Sequence, residues 1–138
     1  MSDVLRLFER WLSARNSHDW QALVELYAPD CEFVTPFGTR RGRSELLEGY
    51  LGLGEAMPDS NLEILTTVAE DPLLAAEGVF TATLTGRLRA GDRILEPTGK
   101  RCSVKFLDLY RFSDELIVSH HDYEDRLDML SQLGVIAP

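Results

Sequence analysis

Apolar residues recur at Val4, Leu7, Phe8, Trp11 and Leu12, the three-and-four spacing of an amphipathic helix. Asn16, Ser17, His18 and Asp19 interrupt the pattern, and Asp19 is suited to cap a second helix. That helix carries Trp20, Leu23, Val24 and Tyr27 as its stripe and stops at Pro29 and Asp30. Residues 31–37 read as a short strand, and Pro36 places that strand at a sheet edge. Residues 38–42 read as a turn made basic by Arg40 and Arg41. A third helix follows with Leu46, Leu47, Tyr50 and Leu51 facing inward, closed by Pro58 and Asp59.

The second half changes period. Residues 61–70 alternate as a strand, broken by Asp71 and Pro72. Residues 79–88, rich in threonine and β-branched side chains, predict a long strand. Residues 90–100 hold Gly91, Pro97 and Gly99 and read as a loop. Residues 101–112 and 116–123 predict two final strands around a turn at Ser113 and Asp114. A short helix, 126–133, follows Asp125 as its cap and ends at Gly134. Helices followed by a run of strands indicate one α+β domain over 1–138, with the helices on one face of an antiparallel sheet. A strongly curved sheet closed by helices leaves a conical pocket for a small ligand.

Composition adds little to that picture, but charge narrows it. The net charge of −9 disfavours a nucleic-acid partner. No apolar run nears the roughly 20 residues of a membrane span. Cys31 and Cys102 lie in no ligand spacing and read as free thiols. The opening SDVLRLFERW is charged and amphipathic, unlike a secretion signal, so a cytoplasmic location is expected. No set of metal ligands and no phosphate-binding glycine loop is evident, so neither a metal nor another cofactor is expected.

The last hairpin holds the candidate chemistry. A turn centred on Asp114 pairs Phe112 with Leu116, Tyr110 with Val118, Asp108 with His120, and Phe106 with Asp122. Alternation then puts Phe106, Asp108, Tyr110, Val118, His120 and Asp122 on one face. Carboxylates half-buried beside aromatic rings, and beside each other, have raised pKa values, which suits acid–base chemistry near neutrality. Asp122, His120 and Asp108 are therefore the candidate catalytic residues, although the same grouping would also serve as a plain ion pair. Trp11, Phe33, Tyr50, Phe106 and Tyr110 are candidates to line the pocket or to be ordinary core. The opposite face, with Leu107, Leu109, Ile117, His121 and Tyr123, is too apolar for solvent and predicts a second subunit there.

Several segments carry a resemblance: APDCEFVTPFG (28–38), the helix start at Gly42 and Arg43, MPDSNLEI (57–64), EGVFTATLTG (77–86), EPTGKR (96–101), LYRFSDELI (109–117) and DYEDRLDMLSQLG (122–134). In this order the chain resembles the SnoaL-like polyketide cyclases, of the ketosteroid isomerase and nuclear transport factor 2-like superfold. The resemblance implies a cone-shaped α+β barrel, usually a homodimer or larger homo-oligomer. It also implies cofactor-free acid–base chemistry on a small hydrophobic or polyketide-like molecule. In those cyclases a strand Asp removes a proton beside a carbonyl and an intramolecular aldol addition closes a ring. Asp122 matches that Asp, and the second polar position, typically His, falls on Asp108. A carboxylate donates a hydrogen bond to an enolate only when protonated, so the resemblance leaves the donor to a neutral Asp108 or to His120. Isomerisation and dehydration are the neighbouring reactions, and a non-catalytic ligand-binding or oligomerising module is the alternative. The DYED run also resembles the limonene epoxide hydrolases. Their Arg and Asp two apart on a central strand have no counterpart in 79–88.

Overall fold

A computed structural model of the chain describes residues 3–136. The first half supplies α1 (Asp3–Asn16), α2 (Trp20–Val24), β1 (Tyr27–Thr35), β2 (Gly38–Arg41) and α3 (Gly42–Ala56). The second supplies β3 (Asn61–Glu70), β4 (Leu73–Thr83), β5 (Leu88–Ala90), β6 (Arg93–Leu95), β7 (Arg101–Ser113), β8 (Leu116–Glu124) and α4 (Arg126–Gln132). Six strands form one sheet in the order β2-β1-β8-β7-β4-β3, with β2 and β3 at its edges, and β5 pairs with β6 alone. All pairings are antiparallel except that of β1 with β8. This is the α+β arrangement expected, with α1 and α3 packed against the sheet and the pocket between.

Alternation along the strands decides what faces the helices. On β7 every even residue from Cys102 to Phe112 is buried, and every odd one is exposed. On β4 the same phase buries Leu74, Ala76, Phe80 and Ala82. From above, α1 presents Val4, Phe8, Trp11 and Arg15, and α3 presents Leu46 and Tyr50. Gly78 sits opposite Phe106 in the ladder, and a Cβ there would meet the Glu63 carbonyl oxygen at 2.4 Å and the Phe106 ring at 2.6 Å. Asp19 caps α2 by accepting from the Ala22 amide, and Asp125 caps α4 by accepting from the Asp128 amide.

Several expectations shift. Tyr27 belongs to β1, because α2 ends at Val24. Pro36 lies in the β1–β2 turn, and β1 is an interior strand, since residues 38–41 form a further strand outside it. Leu51 is exposed. The long strand of 79–88 is instead Leu73–Thr83, and 90–100 contains all of β6 and the last residue of β5. Leu107, Leu109 and Tyr123 do lie exposed on the outer face, but Ile117 faces the core. No described helix is long and apolar enough to cross a membrane.

Candidate active site

The hairpin of β7 and β8 runs in a different register from the expected one. Phe106 pairs with Glu124, Asp108 with Asp122, Tyr110 with His120, and Phe112 with Ile117. The shift has two parts. The turn holds both Asp114 and Glu115, so Ser113 pairs with Leu116. A β-bulge between Arg111 and Phe112 then makes Val118 an extra residue on β8, so Ile117 and His120 both turn inward. The expected inward set survives beyond the bulge, because Asp108, His120 and Asp122 keep their phase. Three cross-strand rows result. Phe33, His120 and Tyr110 form one, Asp122, Asp108 and Ala76 the next, and Glu124, Phe106 and Gly78 the third.

In the first row the His120 imidazole lies between two rings. The Phe33 centroid is 4.1 Å away and the Tyr110 centroid 4.2 Å, both stacked. Its edge meets Trp11 at 5.5 Å. Both ring nitrogens are engaged: Nδ1 with Tyr27 Oη at 2.9 Å and Nε2 with Asp108 Oδ2 at 2.7 Å. Burial among these rings pushes His120 down to about 3, so it is neutral at physiological pH. Trp11 Nε1–H donates to Tyr27 Oη at 3.0 Å, and Tyr50 Oη lies 2.9 Å from that same oxygen. One assignment satisfies every donor when Asp108 is ionised. Tyr50 and Trp11 donate to Tyr27, Tyr27 donates to Nδ1, and Nε2–H donates to Asp108. Tyr110 Oη–H also donates to Asp108 Oδ2, at 3.4 Å.

Three carboxyl groups occupy the other two rows. Asp108 is 4% exposed and its Oδ1 meets no partner in hydrogen-bond geometry. Asp122 faces it across the ladder, near enough that a proton held between them raises Asp122 and lowers Asp108. Glu124 stands in the same relation to Asp122. Burial is the largest cause in each case, and it moves Asp108 to about 7, Asp122 to about 8 and Glu124 to about 8. Near neutrality the set therefore holds both ionised and protonated carboxyls. Among the described residues, no group of three His, Cys, Asp or Glu side chains is placed to hold a metal ion.

These groups open onto a cavity of about 500 Å³, the size of a small-ligand pocket. Asp108, His120 and Asp122 line it, as do Trp11, Phe33, Tyr50 and Phe106. Tyr110 does not: fully buried beneath His120, it supports the site from the core rather than forming its wall. Three further residues of the site, Glu124, Arg15 and Tyr27, do not stand out in the sequence. Glu124 continues the alternation of 120 and 122, and Arg15 continues the α1 spacing of Val4, Phe8 and Trp11. Tyr27 fits a helical stripe in the sequence, which hides its place beside His120.

No curated protein matches the chain in sequence. Solved structures share its fold. IdmH, a candidate polyketide cyclase from Streptomyces antibioticus, is 28% identical with a TM-score of 0.75, covering 94% of this chain and 96% of its own. TsrD from Streptomyces laurentii is 25% identical with a TM-score of 0.82, over 97% and 96%. AclR, a candidate hydroxylase from Streptomyces galilaeus, is 25% identical with a TM-score of 0.79, over 96% and 82%. A family model for the SnoaL-like polyketide cyclases matches residues 4–133, spanning α1 through α4, so the chain belongs to that family.

Proposed function

We propose that this protein is an acid–base enzyme acting on a carbonyl-bearing, polyketide-like molecule, by aldol cyclisation, isomerisation or dehydration. The carrying observation is the Asp108, Asp122 and Glu124 set, raised into the neutral range at the wall of an aromatic pocket. Asp122 is the more exposed of the two paired aspartates and serves as general base. The two aspartates hold one proton near neutrality. When Asp108 carries it, Asp122 is ionised and takes the proton beside the substrate carbonyl. Protonated Glu124 then donates to the oxygen on which the enolate charge develops. His120 has no nitrogen left for substrate and acts as a positioning residue, holding Asp108 through Nε2. The surrounding rings exclude water from the enolate.

The test needs no knowledge of the natural substrate. Deuterium uptake at the α-carbon of a bicyclic aromatic ketone, 1-tetralone, is followed by NMR in heavy water. The wild type should accelerate exchange over buffer, and Asp122→Asn should lower that acceleration by roughly 10²-fold. Exchange equal in wild type and variant, or equal to buffer, would sink the proposal.

The exposed row of Leu107, Leu109 and Tyr123 supports a second copy of the chain on the outer sheet face. Light scattering of the wild type should then give a dimer mass and Leu107→Lys should shift it toward the monomer. A monomeric wild type excludes this arrangement.

A further inference from the structure

The buried stripe of α1 ends on a cation. Val4, Phe8, Trp11 and Arg15 share one face of the helix, and Arg15 is only 4% exposed. Yet no carboxylate lies within ion-pairing distance of its guanidinium among the described residues. Its one hydrogen bond among them runs from Nη1 to Ser60 Oγ at 3.3 Å, and its guanidinium carbon sits 5.5 Å from the Trp20 ring centroid. Buried guanidinium groups are ordinarily paired, because removing the charge from water is costly. Ser60 does not supply that charge, and its own Oγ is shared with His18 Nε2 at 3.2 Å.

The free atoms have a definite shape. With Nη1 engaged, Nε and Nη2 remain, and these two donors form the side edge of the guanidinium fork. The single fully enclosed side-chain polar atom without a partner, among the described residues, is Asp108 Oδ1. The free Arg15 nitrogens therefore keep access to space, and Arg15 lines the cavity. Of the ionisable groups that act on it from around the pocket, Tyr50, Tyr110 and Tyr27 are held protonated by burial and carry no charge, and Asp108 forms no ion pair with it.

We propose that the pocket selects substrates bearing a carboxylate, which docks in two-pronged fashion on Arg15 Nε and Nη2. This rests on the pocket being the substrate site and names the class of substrate it takes. The carboxylate would sit at the α1 wall, and the carbonyl to be enolised would reach the Asp122 row. A planar acid of aromatic character fits the intervening Trp11, Tyr50 and Phe33 rings.

The probes are 2-naphthoate and its neutral isostere 2-naphthamide, with binding read by quenching of Trp11 and Trp20 fluorescence. Wild type should bind naphthoate about tenfold or more tightly than the amide, the worth of one charge-assisted hydrogen-bonded pair. Arg15→Gln should erase the preference while leaving amide binding unchanged, and Arg15→Lys should restore part of it. Asp122→Asn should keep the preference while losing α-proton exchange, so failure of the catalytic reading and of this one are separable. Equal affinity for both probes, binding of neither, or a preference that survives Arg15→Gln overturns the proposal. Should Arg15→Gln not fold, the Arg15 Nε resonance of the wild type decides. A shift with naphthoate but not with the amide supports the docking, and no shift overturns it.

Discussion

Tyr27 Oη is the joint of the polar chain, accepting hydrogen bonds from Trp11 and Tyr50 and donating one to His120. Removing that single oxygen in Tyr27→Phe leaves three buried groups short of a partner. The expected cost is about 1–3 kcal/mol of stability, measured by urea unfolding. A loss within about 0.5 kcal/mol would show that Tyr27 does not close this chain. At this scale the sequence exposes residues that share a simple period. Asp108, His120 and Asp122 follow from strand alternation alone, and the same rule extended by two positions reaches Glu124. It conceals residues whose partners are distant: nothing local to Tyr27 marks a contact with His120, 93 positions away.

Among the elements, β7 carries the most information. Its strict alternation presents Phe106, Asp108 and Tyr110 to the pocket side, and Gly78 and Ala76 of β4 stand beside the first two as small neighbours. Gly78→Ala would drive a methyl group into the Glu63 carbonyl and the Phe106 ring, so β3 and β4 must part or Phe106 must tilt. Loss of roughly 1–3 kcal/mol is expected, with a blunted response of the pocket to aromatic ligands. Unchanged thermal unfolding in that variant would mean that Phe106 does not press on the Gly78 backbone. Strand identities in this half were legible because their period is 2, while the bulge at Val118 was not, since one extra residue leaves no compositional mark. The β5–β6 hairpin escaped for a related reason: each strand is three residues long, too short to show a period.

For the whole molecule, the three raised carboxyls couple stability to pH. In the unfolded chain they ionise above about 4. In the folded one they hold protons until about 7 to 8. Unfolding thus releases protons between those limits, so their contribution is fully present below about 4 and is lost as pH rises through 7 to 8. His120 works in the opposite direction, since the folded state keeps it neutral down to about 3, but above pH 6.5 it is neutral in both states. Between pH 6.5 and 8 the carboxyls therefore set the slope, about 1.4 kcal/mol per pH unit for each proton released. Urea midpoints should fall across that window, and Asp122→Asn should flatten the fall. A midpoint that climbs with pH would contradict the burial assigned to these groups. The overall α+β layout was legible from the order of helical and strand periods, because each element buries one face against the same core. The interior place of β1 was not, since it depends on a parallel pairing with a strand near the other end of the chain.

That pairing has a consequence for how the chain reaches its shape. β8 is the last strand made, yet it lies in the middle of the sheet, between β1 and β7. Until β8 arrives, β1 and β2 have no larger sheet to join, and α3, packed on β1, has no settled floor. Closing so long a loop is an entropic cost met before its contacts form, which slows folding. On the ribosome the early half must wait, with its apolar faces uncovered, for a segment that also carries His120, Asp122 and Glu124. The strand that completes the sheet is also the strand that brings His120, Asp122 and Glu124, so no partly assembled form of this molecule holds the complete pocket.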